Sequence, residues 1–309
     1  MSNINVLLVG FGRMGLSHLS IINGLLGVDN VIFHIVDSSL TSRMLAKLLI
    51  KNCCVYSPSS LTCDLIDEFE FKYALITTPP SVRDDVLNLL KDRKTFIFVE
   101  KPVLFPLLSN MMSGYVLQHA PLNTLVKSQL SNIQYSKVTA CLQTNLDFSS
   151  VSSGWRSGSY GNVLYEFGGH LLSVLCLFHD KLLMNYSEIT SLNVIVNSRN
   201  ACKFSFFYDN IVYEIDLIAS STEVRKATYL FNFYNDNSEL VLSYDLYGIN
   251  SSSNPISMAH NGVSTDYYIR GFEFSDQMSN FLTCRGDLIK SDQILNLEKL
   301  IGYVNGIFK

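Results

Sequence analysis

Residues 4–15 read INVLLVGFGRMG, an apolar run that passes into three glycines, Gly10, Gly12 and Gly15. The apolar run has the length of one β-strand, and a helical stretch follows from about Met14 to Leu26. Between a strand and a helix, G-x-G-x-x-G has a physical meaning. The first glycine permits a tight turn, the second lets the backbone approach a pyrophosphate, and the third lets the helix pack closely on the sheet. The pattern therefore predicts a dinucleotide-binding loop whose phosphates face the free N–H groups of a helix N-terminus.

Strands and helices alternate through the N-terminal third of the chain. Further strands are predicted at 31–36, 73–77 and 96–99, and helices at 42–50 and 81–90. Strands that alternate with helices favour a doubly wound parallel sheet with right-handed crossovers, which is the Rossmann architecture.

Asp37 stands at the end of the second predicted strand, where dinucleotide-binding domains carry a carboxylate for the adenosine ribose. A carboxylate accepts hydrogen bonds from ribose hydroxyls and repels a 2′-phosphate. We therefore expect NAD(H) as the preferred cofactor. Arg43 is close enough in sequence to keep NADP(H) possible.

The pattern changes after about Pro121, where consecutive strands of period two replace the alternation. Strands joined by short polar turns form a meander, so the second sheet is predicted to be largely antiparallel. The predicted strands are 136–148, 189–196, 202–208, 211–219, 226–234 and 239–244, and the predicted helices are 164–178, 272–282 and 291–308. The polar segment Gly248–Asn261 is predicted to be a loop.

Two domains are expected from this change of pattern. Residues 1–121 form the α/β Rossmann domain. Residues 122–309 form an α+β domain with a large, mostly antiparallel open sheet, for substrate binding and oligomerisation.

Composition limits the class of partner. The 23 basic and 27 acidic side chains give a net charge of −4 without a Lys/Arg-rich run, so no nucleic-acid partner is expected. No apolar stretch approaches the roughly 18 residues of a membrane span. The first ten residues also lack the basic region of a secretory signal, so we expect a cytoplasmic protein with no membrane partner. The seven cysteines and six histidines show no ligand spacing, so neither a metal site nor a disulfide framework is expected.

Two motifs contain candidate catalytic residues. Glu100-Lys101-Pro102 follows a predicted strand, and ligands of such sheets bind at the carboxyl ends of strands. Lys101 is therefore expected near the nicotinamide of a bound cofactor. The second motif is GNVLYEFGGH at 161–170, in which Glu166 and His170 are four residues apart and share one face of a predicted helix.

With these motifs the chain resembles the Gfo/Idh/MocA family, which includes glucose–fructose oxidoreductase and inositol dehydrogenase. The resemblance covers most of the chain. It rests on the glycine loop, the E-K-P motif and the spacing of Gly168 and His170, with smaller matches at Thr77–Pro80, at Trp155-Arg156 and over 114–121. It implies an NAD(P)-dependent dehydrogenase or reductase that acts on a sugar, a nucleotide sugar or a cyclitol. The residues implied at the cofactor are Gly10, Phe11, Gly12, Arg13, Met14, Gly15, Asp37, Thr77, Thr78, Pro79, Glu100, Lys101, Trp155 and Arg156.

The resemblance also implies a mechanism. Oxidation of a secondary hydroxyl transfers a hydride to nicotinamide and releases a proton, and histidine suits general acid–base catalysis because it titrates near neutral pH. His170 is expected to take this proton, Lys101 to hydrogen-bond the same oxygen, and Glu166 to orient the histidine or bind a substrate hydroxyl. Each residue has a structural alternative: a surface lysine, a core histidine and an ion-paired glutamate. Trp155 can likewise be a core residue, and Arg156 a surface charge.

Several positions depart from the family pattern. Glu166 replaces an aspartate, Asn162 a glycine and Arg83 a histidine, and Gln118 or Leu117 stands where an arginine is common. These departures predict altered substrate contacts, or altered or lost catalysis. Two alternatives therefore stay open. One is a reductase of a C=N or C=C bond, as in imine and biliverdin reduction, and the other is a non-catalytic dinucleotide-binding regulator or partner subunit.

The second sheet is also a candidate surface for assembly. An open sheet needs something to cover its second face, and the family often dimerises there. We therefore expect a homo-oligomer, a dimer or a tetramer. Residues 203–213 and 229–234 are the segments expected to cover a partner's sheet.

Overall fold

The computed structural model describes residues 3–103, 109–151, 157–158, 160–220, 227–246, 256–260, 262–267 and 273–306. The chain forms two compact units: residues 1–115 with 274–287, and residues 116–273 with 288–309. The predicted domain boundary between residues 121 and 122 stays a prediction. The structural units differ from it mainly because the segment 274–287 belongs to the first unit.

The first unit is built on a six-stranded sheet in which every pair of neighbours is parallel. Its order is β3-β2-β1-β4-β5-β6, which is the Rossmann order, so the predicted fold class is confirmed. The strands are β1 (Ile4–Val9), β2 (Val31–Val36), β3 (Cys53–Tyr56), β4 (Tyr73–Ile76), β5 (Phe96–Val99) and β6 (Met111–Ser113). The helices of the connections are α1 (Arg13–Leu26), α2 (Leu40–Leu49), α3 (Cys63–Phe69) and α4 (Arg83–Leu90).

The central strands of this sheet are covered on both faces. Every residue of β4 and of β5 is buried, which explains why both strands read as continuous apolar runs. Three elements of the first unit were not predicted: β3, α3 and β6. They have four, seven and three residues, too few to show a clear period.

A helix from the C-terminal part of the chain completes the first core. This helix is α7 (Glu273–Leu282), where helices are numbered in chain order. All of its residues except Glu273 belong to the first unit. Phe281 is fully buried there, and its ring centroid lies 5.4, 5.6 and 5.7 Å from those of Tyr73, Phe96 and Phe98. The Tyr73 hydroxyl donates to the Leu282 carbonyl oxygen at 2.6 Å. These contacts are the physical reason why α7 does not group with the residues that precede it.

The second unit is built on an eight-stranded sheet of order β14-β13-β12-β11-β7-β10-β9-β8. Among the described strands only β7 and β10 are parallel neighbours, so the prediction of a mostly antiparallel sheet is confirmed. The strands are β7 (Lys137–Gln143), β8 (Thr190–Asn197), β9 (Ala201–Tyr208), β10 (Ile211–Ile218), β11 (Thr228–Tyr234), β12 (Leu240–Leu246), β13 (Ile256–His260) and β14 (Val263–Tyr267). The helices are α5 (Asn123–Leu130), α6 (Gly169–Phe178) and α8 (Ser291–Val304).

Part of the predicted loop Gly248–Asn261 is a strand, so that prediction was wrong for residues 256–260. These residues pair with β12 and with β14 in an antiparallel arrangement. Ile256 and Met258 alternate inwards and are buried, while the polar residues between and before them hid this period in the sequence.

The two faces of the second sheet differ in cover. The Phe178 ring of α6 packs on one face, against Phe231, Phe233 and Tyr244. The aromatic side chains in the segments 203–213 and 229–234 mostly point to this face and are buried within the unit. The opposite face carries Phe207, Val212 and Ile218, which are 36, 37 and 39% exposed. Only every second residue of the two segments is therefore available to a partner.

No helix in the described part of the chain is both long and apolar enough to cross a bilayer.

The packing of α7 predicts a large effect of truncating Phe281. Phe281→Ala removes a buried ring from contact with three others, and such a change costs about 3–5 kcal/mol of unfolding free energy. Urea denaturation followed by circular dichroism measures this loss. Leu25→Ala on α1 is the control, because Leu25 is 46% exposed and is expected to cost far less. Equal effects of the two variants would contradict the described position of α7.

Candidate active site

The glycine loop has the geometry that the sequence pattern predicts. Gly10 has a φ of +98°, a conformation that L side chains rarely adopt, and its N–H donates to the Val36 carbonyl oxygen at 2.8 Å. A Cβ on Gly15 would collide with the Gly10 carbonyl oxygen and lie 3.0 Å from Thr77 Oγ1. Gly10 therefore serves the turn, and Gly15 serves the close packing of α1 on the sheet.

Gly12 is a glycine for a different reason. It precedes α1 in an extended conformation and makes no side-chain cap, and a Cβ added to it would have no heavy atom within 4 Å in the described residues. The protein itself thus does not require a glycine there. Open space in front of uncapped helix N–H groups fits a phosphate, which needs a close backbone approach.

The side chains of the loop point in different directions. Phe11 is 5% exposed and packs into the core, so only its backbone is available to a ligand. Arg13 is exposed, and Met14 is half-buried. Contact of Phe11, Arg13 and Met14 with a cofactor stays a prediction.

Asp37 joins the end of β2 to the glycine loop. Its Oδ2 accepts a hydrogen bond from the Phe11 N–H at 2.7 Å, and its Oδ1 accepts one from the Ser39 N–H at 2.7 Å. A carboxylate has about four acceptor sites, so both oxygens can still accept from ribose hydroxyls. Arg43 lies in the first turn of α2, and its Nη1 donates to the carbonyl oxygens of Asp37 at 2.6 Å and Ser38 at 3.3 Å.

The end of β4 lies against the glycine loop. Thr77 Oγ1 donates to the Gly10 carbonyl oxygen at 2.6 Å. Thr78 Oγ1 is buried, and the described residues supply no hydrogen-bond partner for it. Its methyl carbon would lie 3.1 Å from a Cβ on Gly10, so the hydroxyl belongs to the surroundings of the loop. A buried hydroxyl without a partner in the described residues fits a polar ligand. Pro79 follows and precedes a short 3₁₀ turn.

Glu100, which follows β5, is anchored inside the first unit. Its Oε1 lies 2.7 Å from Nε2 of His18, a fully buried residue of α1. Burial raises the pKa of Glu100, but the hydrogen bond from His18 and the charges of His18, Lys101 and Arg83 outweigh it and hold this pKa below its usual range. The ionised carboxylate accepts the His18 N–H. Direct contact of Glu100 with a cofactor stays a prediction.

Arg83 is the residue whose role sequence reasoning missed. Its guanidinium is buried and binds backbone carbonyl oxygens around Lys101, where the Lys101–Pro102 peptide bond is cis. The sequence held one signal: Arg83 shares a helix face with the buried residues Val86, Leu87 and Leu90. A cation on an apolar face needs a buried partner, although the sequence does not say which.

The second motif starts a helix, as predicted, with an irregular first turn. Residues Leu164–Gly168 form a π-helical turn that leads into α6. Such turns are rare and occur frequently at functional sites. Glu166 is half-buried in this turn, and His170 is buried one turn later, so both predicted catalytic residues of this motif are neighbours on one helix. Burial, followed by the charge of Glu166, raises the pKa of Tyr229 on β11.

Two departures from the family pattern have structural roles in the second unit. Asn162 Oδ1 accepts from the Tyr165 N–H at 3.0 Å and thereby caps the π-helical turn, while its Nδ2 donates to Asn305 Oδ1 at 3.1 Å. Gln118 Oε1 accepts from the N–H groups of Leu288 at 3.0 Å and Ile289 at 3.2 Å.

The predicted site residues therefore fall into three groups. The glycine loop, Asp37 and Thr77–Pro79 are brought together in the first unit. Glu100 and Lys101 stand at the end of β5 in the same unit, and Glu166 and His170 lie together in the second unit. Trp155 and Arg156 lie outside the described residues.

Comparison with known proteins bears on the fold. No family model and no curated protein matches the chain. Solved structures do match. An oxidoreductase from Thermotoga maritima has a TM-score of 0.72 at 12% identity, over 98% of this chain and 96% of its own. A variant of KijD10, a 3-ketoreductase from Actinomadura kijaniata in complex with TDP-benzene and NADP, has a TM-score of 0.71 at 10% identity, over 99% and 98%. The WlbA dehydrogenase from Thermus thermophilus, in complex with NAD and UDP-GlcNAcA, has a TM-score of 0.65 at 14% identity, over 98% and 94%.

The chain therefore has the fold of these oxidoreductases. The similarity spans nearly the whole chain, and at identities of 10–14% it establishes architecture. The resemblance stated from the motifs is thus confirmed at the level of the fold.

Within this fold, Gly12 gives a test that separates ligand binding from folding. Gly12→Ala is expected to leave the melting temperature within about 2 °C, because its Cβ meets nothing in the described residues. It is expected to weaken NADH binding at least tenfold, because the Cβ occupies the space for the pyrophosphate. Fluorescence titration with NADH measures the affinity.

Gly24→Ala is the matched control for this change. Gly24 lies in α1, the helix that Gly12 precedes, and its added Cβ also meets nothing within 4 Å in the described residues. This variant is expected to bind NADH normally. Normal NADH binding by Gly12→Ala would contradict the assignment of the loop.

Proposed function

We propose that this chain is an NAD(P)-dependent oxidoreductase that transfers a hydride between nicotinamide and a secondary hydroxyl or ketone of a sugar, a nucleotide sugar or a cyclitol. One observation carries the proposal. At the N-terminus of α1, which has no side-chain cap, a Cβ on Gly12 would meet no heavy atom of the described residues within 4 Å, so the helix N–H groups face open space. Dehydrogenases and ketoreductases with bound nucleotides among the structural neighbours support the choice of chemistry.

The cofactor is proposed to be NAD(H) rather than NADP(H). The Asp37 carboxylate at the end of β2 supports this choice, since it accepts from ribose hydroxyls and repels a 2′-phosphate. The Arg43 guanidinium, which binds the Asp37 carbonyl oxygen, keeps NADP(H) possible. When bound, the cofactor supplies the hydride acceptor or donor. The neighbours support both forms, because WlbA was solved with NAD and KijD10 with NADP.

The protein's own residues are proposed to handle the proton and the charge. Lys101 donates a hydrogen bond to the reacting oxygen and stabilises alkoxide character. His170 takes the hydroxyl proton in oxidation and returns it in reduction. Glu166, one helical turn from His170, orients the imidazole or binds a substrate hydroxyl. Trp155 and Arg156 are proposed to contact the cofactor on the strength of the resemblance alone.

Turnover tests this proposal. Purified protein is titrated with NADH by fluorescence, and sugars, nucleotide sugars and cyclitols are then screened for a change of absorbance at the nicotinamide band. A substrate from one of these classes is expected. Lys101→Met and His170→Gln are each expected to lower kcat by about 100-fold, which is the usual size of a general acid–base or electrostatic contribution. Both variants are expected to keep NADH affinity within about threefold.

The other outcomes of the same screen are informative. Turnover of imines or of a conjugated C=C bond, with none of sugars, would favour the reductase alternative. NADH binding without turnover of any class would favour a regulator. Absence of NADH binding would overturn the proposal at its first step.

The open face of the second sheet is proposed to form a homo-oligomeric interface. This face holds the partly exposed Phe207, Val212 and Ile218 together with the ion pair Lys203 Nζ–Asp216 Oδ2 at 3.1 Å, a mixture typical of protein interfaces. The assembly is expected to be a dimer or a tetramer.

Light scattering after size-exclusion chromatography measures this assembly. The double variant Val212→Glu with Ile218→Glu is expected to shift the protein to a smaller species, because two like charges per copy would be buried in the interface. Leu25→Glu in the first unit is the control and is expected to leave the mass unchanged. A wild-type monomer would refute this part of the proposal.

A further inference from the structure

The guanidinium of Arg83 holds three consecutive carbonyl oxygens around Lys101. Nη1 donates to the carbonyl oxygens of Glu100 at 2.5 Å and Pro102 at 2.6 Å, and Nη2 donates to that of Lys101 at 3.2 Å. Nε donates to the Thr78 carbonyl oxygen at 2.8 Å. Arg83 is only 3% exposed, and all four of these hydrogen bonds go to backbone carbonyl oxygens.

The same turn is held from two other directions. His18 on α1 binds the Glu100 carboxylate at 2.7 Å. Gly114, which follows β6, lies so close that an added Cβ would be 3.0 Å from both Glu100 Cα and the Lys101 backbone nitrogen. Lys101 is thus the centre of a turn whose backbone is fixed by α1, by α4 and by the segment after β6.

We propose that Arg83 is a positioning residue that sets the direction of the Lys101 side chain through the backbone of residues 100–102. This inference rests on the proposed function, since it assumes that Lys101 acts at the nicotinamide. The side chain of a flexible lysine is only as well placed as its Cα, and displacement of a catalytic group by about 1 Å can cost about 100-fold in rate. Arg83 supplies that placement without contact with cofactor or substrate.

The chemistry of the contact requires arginine. A planar guanidinium presents five N–H donors in a fixed fork, whereas a lysine ammonium is a compact point charge that cannot reach four carbonyl oxygens in this arrangement. The buried positive charge is balanced by the nearby ionised Glu100, which His18 also holds. Position 83 therefore requires the shape of the arginine side chain as well as its charge.

The first variant for a test is Arg83→Lys, with Arg93→Lys as the matched control. Arg93 lies in the same unit, in the connection between α4 and β5, and forms a partly exposed ion pair with Asp67 at 3.0 Å. Its replacement keeps the charge and leaves the Lys101 turn untouched.

A spectroscopic signal follows Lys101 directly. Reductive methylation with ¹³C-formaldehyde labels the lysines, and the signal that disappears in Lys101→Arg identifies Lys101. In the wild type this signal is expected to shift when NADH is added. In Arg83→Lys the NADH-induced shift is expected to fall by at least half, and in Arg93→Lys it is expected to stay unchanged.

Kinetics with the substrate found by the screen give the second readout. Arg83→Lys is expected to lower kcat by about 100-fold, while KM and the NADH dissociation constant stay within about threefold. A loss of general stability would instead lower the fraction of active protein and would leave the NADH-induced shift of the Lys101 signal unchanged in the protein that stays folded.

Gly114→Ala is the second variant and reaches the same turn from the opposite side. Its Cβ would press on Glu100 and on the Lys101 backbone, so the same loss of the NADH-induced shift is expected. This variant decides the question if Arg83→Lys does not fold.

The outcomes separate the inference from the function on which it rests. A wild-type Lys101 signal that ignores NADH would refute the position of Lys101 at the nicotinamide, and the inference with it. A wild-type response that persists in Arg83→Lys and in Gly114→Ala would refute the inference alone. A response lost in both variants and kept in Arg93→Lys supports it.

Discussion

The contact between Gly15 and the Gly10 carbonyl oxygen determines how the first helix sits on the parallel sheet. No side chain fits there, so α1 approaches β1 and the end of β4 more closely than any other residue at position 15 would allow. His18 is one helical turn further on, on the same face as Gly15, and it is fully buried between Phe98 and Phe274. The close approach therefore also sets the distance at which His18 meets Glu100.

This arrangement links the two halves of the proposed cofactor site. The glycine loop precedes α1, and the Lys101 turn follows β5, which is two strands away from β1 in the sheet. His18 connects them through one short contact with Glu100. Burying two ionisable groups costs solvation free energy and rarely adds net stability, whereas a fixed geometry is what such pairs provide. The solvation cost of burying His18 and Glu100 is consistent with a need to fix the backbone of the neighbouring Lys101.

Features that depend on residues close together in the sequence could be predicted, whereas contacts between residues far apart in the sequence could not. The parallel sheet and the start of the helix at Leu164 were predictable, because apolar runs and glycine spacing are local signals. The strand at 256–260 was not, because its two buried residues are outnumbered by polar neighbours. Contacts at long separation were also inaccessible. His18 and Glu100 are 82 residues apart, and Arg83 reaches carbonyl oxygens 17 to 19 residues away, so neither pairing leaves a periodic trace in the sequence.

The departures from the family pattern acquire a different meaning once their contacts are known. Read as a sequence, Arg83, Asn162 and Gln118 suggest a changed or lost activity. In the structure, Arg83 holds the Lys101 turn, Asn162 caps the π-helical turn that carries Glu166, and Gln118 accepts from two backbone N–H groups. A polar side chain that forms hydrogen bonds with backbone groups has a structural role that does not involve a substrate. These three positions therefore do not argue against catalysis. For Glu166 the prediction of altered substrate contacts still stands, since its carboxylate is one methylene further from the helix than that of an aspartate would be.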